Sequence, residues 1–142
     1  MTGTISVANR QRMVRVELAA LRQFAKRALV VCLNRPARRS SLLAEIAEVN
    51  VILVSDKRIA EIHRRFLSEP GPTDVITFQH GEIVISAETA ARQARQFGTT
   101  LDHELRLYLV HGLLHLHGFD DKTAAGAAEM KRRQERVVAS LP

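Results

Sequence analysis

Apolar residues recur along the chain with two different periods, and these periods predict alternating strands and helices. A two-residue alternation at Ile5-Ser6-Val7 and a β-branched run over 48–54 predict two strands. Between them, apolar positions three and four residues apart over 17–33 predict an amphipathic helix. Ser55 then offers an N-cap for a helix from Asp56 to about Phe66. The first half of the chain is therefore predicted to fold as strand, helix, strand, helix.

The second half begins at a loop that two prolines and a glycine enforce over 69–72, because proline cannot extend a helix. Short apolar runs at 74–78 and 82–85 predict two strands, and the Gln79-His80-Gly81 connection favours an antiparallel hairpin. A helix over 87–97, capped by serine and ended by glycine, follows. An antiparallel hairpin after two strand-helix units indicates a mixed sheet.

The last two predicted helices carry different apolar patterns. Apolar residues surround the helix that starts at Asp102 almost completely, which is typical of a buried helix. Gly118 ends it, and a final amphipathic helix is predicted over 122–141. Together the elements predict an α+β fold in a single domain, residues 1–142, with a mixed four-stranded sheet packed against about five helices.

Composition agrees with one globular domain. The chain has 142 residues, of which 46% are hydrophobic and 25% charged, so it can bury a core. Its single cysteine, Cys32, excludes an internal disulfide and a thiolate-rich zinc cluster, so a bound metal would need nitrogen and oxygen ligands. No apolar run is long enough for a signal peptide or a membrane span. We therefore expect a cytoplasmic protein without membrane contact.

The charge is strongly basic. Lysine and arginine outnumber the acids by 21 to 15, which gives a net charge of +6 and a pI near 10.4. The basic residues cluster over 35–39 and 131–136. Such charge attracts polyanions, although each cluster alone is equally well explained as a solvated surface. Charge supports a nucleic-acid partner only weakly.

Two histidines, His111 and His115, interrupt the predicted buried helix. Burying an unpaired polar group costs on the order of 1–3 kcal/mol, so we expect each of these rings to have a bonding partner. Four residues advance an α-helix by about 400°, which places both imidazoles on one face, where they can converge on one ion. Because core histidines often bond to carbonyl groups instead, the pair alone is weak support for a metal site.

Gly118 and Asp121 strengthen the metal hypothesis. Gly118 can adopt a positive φ and turn the chain back, so that Asp121 arrives where a third ligand would stand. This spacing is that of the zinc helix in metzincin proteases, with aspartate in place of their third histidine. Gly112 stands where those proteases place a catalytic glutamate, which argues against peptide hydrolysis. His117 is a rival third ligand, although on a regular helix it points away from His115.

Residues 111–121 resemble the signature of the YbeY family, HGxLHLxGYDH. Three other segments are similar to that family: 72–78 to its PTDVLSF motif, 81–86 to its GDIxIS segment and 130–135 to its terminal helix. The resemblance covers roughly residues 48–138 in the family's order, whereas the first 45 residues match only in the order of predicted elements.

The resemblance implies a metal site with an open coordination position and an endoribonuclease that cleaves single-stranded RNA. It further implies a role in 16S rRNA maturation and ribosome quality control, with RNA and the small ribosomal subunit as partners. The family's first two histidine ligands correspond to His111 and His115, whereas its third histidine falls on Asp121, whose role rests on chemistry and spacing. We expect one Zn²⁺ ion on these three residues.

Two basic residues are candidates for RNA binding. The family often has an arginine where this chain has Leu67, so a role with RNA cannot be transferred to that position. Arg64 and Arg65 lie within a turn of it and are expected to contact phosphate, although a solvated helix end explains them equally well.

The sequence does not identify the catalytic residues. Asp120, Asp74 and Glu82 are acid–base candidates, but a capping or turn role is the simpler explanation for each. Two other functions stay open: a ribosome assembly factor without catalysis, in which the ion only secures the fold, and a zinc metalloprotease. The oligomeric state is not indicated.

Overall fold

A computed structural model describes residues 3–38, 41–67 and 74–142, apart from the side chain of Leu67. The loop predicted at 69–72 and the Pro72-Thr73 part of the family motif lie outside the described residues. The described elements are, in order, β1 (Thr4–Asn9), α1 (Leu18–Leu33), β2 (Glu48–Val54), α2 (Asp56–Leu67), β3 (Val75–Thr77), β4 (Glu82–Ser86), α3 (Ala87–Phe97), α4 (Leu101–Leu116) and α5 (Ala124–Ser140).

The four strands form one mixed sheet in the order β1-β2-β4-β3. β2 pairs in parallel with β1 and with β4, and β3 pairs antiparallel with β4. The parallel connections are possible because α1 and α2 intervene, whereas β3 and β4 are joined by a tight turn. The predicted α+β class, mixed sheet and five helices are confirmed, and β3 lies at an edge.

Helices cover the two faces of the sheet unequally. On one face, α1 and α4 bury alternate strand residues in the main core: Val49, Val51, Leu53, Ile83 and Ile85. On the other face, α2 covers a smaller core of Val54, Ile59, Ile76 and Val84. The side chains of β3 and its following turn therefore alternate between these two faces.

Helix α4 occupies the centre of the larger layer, in contact with α1, α3, α5, β3 and β4. Most of its leucines are almost completely buried, which confirms the prediction of a buried helix: Leu105, Leu109, Leu113, Leu114 and Leu116. His111 and His115 remain partly exposed near its C-terminal end. None of the described helices combines the length and the apolar character that a bilayer crossing requires.

Serine and threonine side chains cap the starts of the last three helices. Ser86 caps α3 as predicted, accepting a bond from the backbone N–H of Thr89 at 3.2 Å. The last two helices begin one residue before and two residues after the predicted starts, because Thr100 and Thr123 are the residues whose hydroxyls cap them. The observed bounds of the elements thus differ from the predicted ones by at most a few residues, whereas the order and type of the elements agree.

Candidate metal centre

Three side chains converge where α4 ends. The Nε2 atoms of His111 and His115 lie 3.0 Å apart. One carboxylate oxygen of Asp121 lies 3.6 Å from the Nε2 of His111, and the other lies 3.6 Å from that of His115. The structure therefore brings together the three residues that the sequence singled out.

The turn after α4 places Asp121 opposite the two rings. Gly118 has a φ of 99°, a conformation that favours glycine, and its N–H donates to the carbonyl of His115 at 3.1 Å. Phe119, the next residue, is 5% exposed, and the guanidinium of Arg133 on α5 lies 4.5 Å from the centroid of its ring. This buried ring anchors the turn, so the aspartate is held by packing as well as by the glycine.

The geometry and chemistry of the three donors fit a tetrahedral zinc site. At bond lengths of about 2.0–2.2 Å, tetrahedral ligand atoms lie roughly 3.3–3.6 Å from one another. The observed separations of 3.0 and 3.6 Å are close to these values. On one zinc ion, two imidazoles and a carboxylate would leave a fourth position free, which is the arrangement of catalytic rather than closed structural zinc sites.

Gln134 on α5 sets the proton position on one ring. Its carbonyl Oε1 lies 3.0 Å from the Nδ1 of His111. In the amide orientation that the structure shows, the oxygen can only accept, so Nδ1 carries the hydrogen and the lone pair is on Nε2, the atom that faces His115 and Asp121. The protein thereby directs a lone pair at the point where the carboxylate also converges, an arrangement suited to a cation.

The second ring is held in the neutral form. Burial lowers the pKa of His115, and the neighbouring His111 lowers it further. A hydrogen bond to the backbone of Phe119 and the charges of Asp121 and Asp120 act in the opposite direction without reversing the shift. A neutral imidazole has the lone pair that metal coordination requires.

Two cavities meet at His111. One, of about 530 Å³, is lined by both imidazoles and by Thr77, Gln79, Phe119, Asp120 and Lys122, among others. The second, of about 480 Å³, lies between α3, α4 and α5 and shares His111 and Asp121 with the centre. An extended polymer could therefore approach the three donors from either side.

His117, the rival ligand, has a different role. Its Nδ1 lies 2.7 Å from the hydroxyl of Ser41, and its Nε2 lies 2.7 Å from the carbonyl oxygen of Arg35. The ring is only 3% exposed, and both nitrogens are engaged. These two bonds link the segment after α1 to the end of α4. Because both nitrogens of His117 are engaged there, Asp121 is the residue whose donor atoms lie with those of the two histidines.

The acid–base candidates lie at different places. Asp120 lines the larger cavity, while its Oδ1 accepts from the backbone N–H of Lys122 at 3.2 Å, a turn-forming contact. Asp74 lines the second cavity and accepts from the N–H of Val75 at 2.8 Å. Among the described residues, Glu82 lines neither cavity. Of the three candidates, Asp120 is therefore the one that lines the cavity containing both imidazoles.

The arginine candidates lie away from the three donors. Arg64 and Arg65 are exposed in the last turn of α2 and line a separate groove with Arg58 and Phe66.

Cys32 is buried, and burial raises the pKa of its thiol to about 12, which leaves the thiol unreactive.

Sequence reasoning did not identify the role of Gln134. A signal was present, because the buried face of the last helix contains Met130 and Val137-Val138, and Gln134 is the polar residue between them at helical spacing. Its partner could not be found in this way, since His111 is 23 residues away along the chain.

Comparisons with known proteins give one consistent result. The model of the family described as endoribonuclease YbeY matches residues 6–142. A Moorella thermoacetica protein named endoribonuclease YbeY is 38% identical over 135 residues, covering 80% of this chain and 86% of that protein. A Syntrophotalea carbinolica protein of the same name is 34% identical over 152 aligned positions, covering 98% and 93%. The solution structure of a Thermotoga maritima protein gives a TM-score of 0.63 at 28% identity, covering 94% of this chain and 86% of that one.

Proposed function

The chain belongs to the endoribonuclease YbeY family, and on that premise we propose that it is a zinc-dependent endoribonuclease that cleaves single-stranded RNA. The family acts in rRNA maturation, and we further propose the 16S rRNA precursor in the small ribosomal subunit as the natural substrate. Ribosome assembly makes the cytoplasm the compartment that we expect.

The convergence of His111, His115 and Asp121 supports the metal dependence most directly. The donor set contains no thiolate, which matches a catalytic ion held by nitrogen and oxygen. When bound, such an ion acts as a Lewis acid that stabilises charge developing on a phosphodiester.

The chain's own side chains provide the rest of the chemistry. Gln134 orients His111, and the depressed pKa of His115 keeps its imidazole neutral. Lys122 lines the same cavity, where an ammonium group can bind a phosphate oxygen. Asp120 is placed to accept or deliver a proton in that cavity. We propose that Arg64 and Arg65 bind the RNA backbone beyond the reacting phosphate.

Metal content and cleavage, measured on the same preparations, test this proposal. We expect about one zinc per chain in the wild type, loss of the ion in His115→Ala, and loss of RNA cleavage in both His115→Ala and Asp121→Asn. His63→Ala is the control, because it removes an imidazole outside the three-residue group. A wild-type protein that binds zinc but leaves single-stranded RNA intact would contradict the proposal.

The same variants address the alternatives. If the ion only secures the turn after α4, Asp121→Asn should lower the melting temperature while ribosomal-subunit binding by the folded fraction persists. Normal stability with lost cleavage favours catalysis. Casein, assayed beside RNA with added zinc, tests for a protease, which Gly112 at the glutamate position disfavours.

A further inference from the structure

Three aromatic side chains form a row beside the β3–β4 turn. The ring of Phe66, at the end of α2, meets that of Phe78 edge to face, with the centroids 5.8 Å apart and an interplanar angle of 84°. Phe78 in turn stacks on His80 at 5.6 Å and 24°. We call Phe66, Phe78 and His80 the aromatic row.

Packing of the core explains only the middle of this row. Phe78 packs against the small core under α2, whereas Phe66 is 62% exposed and His80 is exposed. A single exposed apolar residue is ordinary on a protein surface. A half-exposed row of contacting rings is different, because another flat ring can pack against its exposed aromatic side chains.

Positive charge surrounds the exposed end of the row. The guanidinium carbon of Arg65 lies 5.9 Å from the centroid of Phe66, and Arg64 is exposed beside it. Arg58 lines the same groove, but it forms an ion pair with Glu61 at 3.4 Å. Aromatic rings next to Arg64 and Arg65, for which the described residues provide no ion-pair partner, match the bases and phosphates of a single nucleic-acid strand.

The geometry of β3 connects the row to the metal centre. Thr77 and Gln79 line the cavity that contains His111 and His115, while Phe78, between them in sequence, points to the α2 side. Because β3 lies at the sheet edge, an RNA strand crossing that edge can present a phosphate to one side and a neighbouring base to the other.

We propose that the aromatic row binds an unpaired RNA base by stacking, while Arg64 and Arg65 bind the adjacent phosphates. This inference rests on the proposed function and deepens it, because it names the surface that selects single strands. A base within a duplex already stacks on its neighbours and cannot add to the row.

Binding of a fluorescein-labelled oligoadenylate to the metal-stripped protein, followed by fluorescence anisotropy, tests the inference without cleavage. Phe66→Leu keeps an apolar side chain but removes the π-face, and we expect affinity to fall about 5- to 100-fold. Phe66→Trp should restore affinity, because it provides a larger face. Met13→Ala removes an equally exposed apolar side chain elsewhere and should leave affinity unchanged.

Salt dependence separates stacking from charge. Phe66→Leu should leave the slope of log affinity against log salt unchanged, whereas Arg64→Gln and Arg65→Gln should each reduce its magnitude by about 0.7. Circular dichroism should show that all variants are folded, as expected for exposed positions.

Three results would overturn the inference. Wild-type affinity in Phe66→Leu, or an equal loss of affinity for duplex RNA, would exclude base stacking. Unchanged RNA affinity with weakened binding to the ribosomal subunit would assign the row to a protein partner. In these cases the proposed function still holds if the wild type cleaves RNA. A wild type that neither binds nor cleaves RNA would contradict both this inference and the proposed function.

Discussion

At the scale of single residues, the contact between Gln134 and His111 shows how a neutral amide can orient a candidate metal ligand. The carbonyl of Gln134 fixes the hydrogen on Nδ1 and holds the ring plane, so Nε2 does not have to be reoriented before it binds an ion. The residue adds no charge to the centre. We therefore expect it to affect the metal affinity of the site without changing the net charge of the site.

Substitution of Gln134 tests this role. We expect Gln134→Leu to weaken zinc binding about 10- to 100-fold, because His111 loses the acceptor that selects its tautomer. Gln134→Glu retains an acceptor and should bind zinc at least as well as the wild type. Competition with a chromogenic chelator measures both affinities, and Glu135→Leu on the same turn controls for effects on the helix. Equal affinities in wild type and Gln134→Leu would assign the amide a structural role only.

At the scale of elements, the approach of α4 to β4 depends on Gly112. A Cβ built at this position would lie 2.7 Å from Cδ1 and 2.8 Å from Cγ2 of Ile83, which is too close for a real contact. The residue that argued against a protease thus has a packing role of its own. It lets the helix that carries His111 and His115 lie directly on the sheet.

Gly112→Ala should destabilise the fold by about 1–3 kcal/mol, because α4 or Ile83 must move to accept the methyl group. Denaturation with urea measures the change. Adding Ile83→Val removes the nearest atom, Cδ1, and should recover part of the loss. No recovery in the double variant would show that Cδ1 is not the atom that restricts the position, which would leave Cγ2 and Cγ1 of residue 83 as the obstacle.

Helices α2 and α3 are joined by a carboxylate at their N-terminal ends. Asp56 accepts hydrogen bonds from Ser86 Oγ at 2.5 Å, Thr89 Oγ1 at 2.7 Å and Arg92 at 2.5 Å, while its own N–H donates to Glu88 at 2.9 Å. Burial raises the pKa of Asp56, but these hydrogen bonds and the charge of Arg92 outweigh it and hold the pKa below 3.8.

This depressed pKa predicts a pH-dependent contribution to stability. The carboxylate stabilises the folded chain above pH 3.8, its ordinary pKa, and the contribution is lost as the pH falls through the lower folded value. At neutral pH, Asp56→Asn should cost about 1–2 kcal/mol, since Arg92 is half exposed and its contribution is screened. Unfolding experiments at pH 7 and in acid should show this difference shrinking, and a constant difference would contradict the assignment.

At the scale of the whole molecule, the net charge is +6, but some of the basic side chains are engaged in contacts within the fold. Arg133 lies over the ring of Phe119 and bonds to Glu129, which also pairs with Arg38 at 3.6 Å. These basic residues were among the clusters noted in the sequence. Only the remaining basic side chains can contribute fully to binding RNA.

Affinity for single-stranded RNA should therefore fall with salt, but less than the count of basic residues would suggest. Each phosphate contact contributes a slope of about −0.7 in a plot of log affinity against log salt, because counterions are released. Titrations of the metal-free protein at several ionic strengths measure the slope. A flat response would show that charge does not drive binding.

Local pattern was sufficient for most of the fold and for the centre of the site. Strand β2 was predicted with its observed bounds, since a short run of β-branched residues favours a strand over a helix. His111, His115 and Asp121 were predicted as a group, because helical spacing and a glycine turn act over short distances. The ligand identities and the roles of Arg64 and Arg65 stay predictions until metal and RNA are measured.

What the sequence determined by itself was local: the order of the elements, the buried character of α4 and the one-sided placement of its two histidines. Tertiary structure decided what depends on contacts between distant segments. Both nitrogens of His117 are hydrogen-bonded to residues far away in the sequence, and Gln134 is hydrogen-bonded to His111. Gly112 allows α4 to approach Ile83 closely. Periodicity and turn chemistry specify neighbours along the chain, whereas the partner of a side chain across the core is set by how whole elements pack.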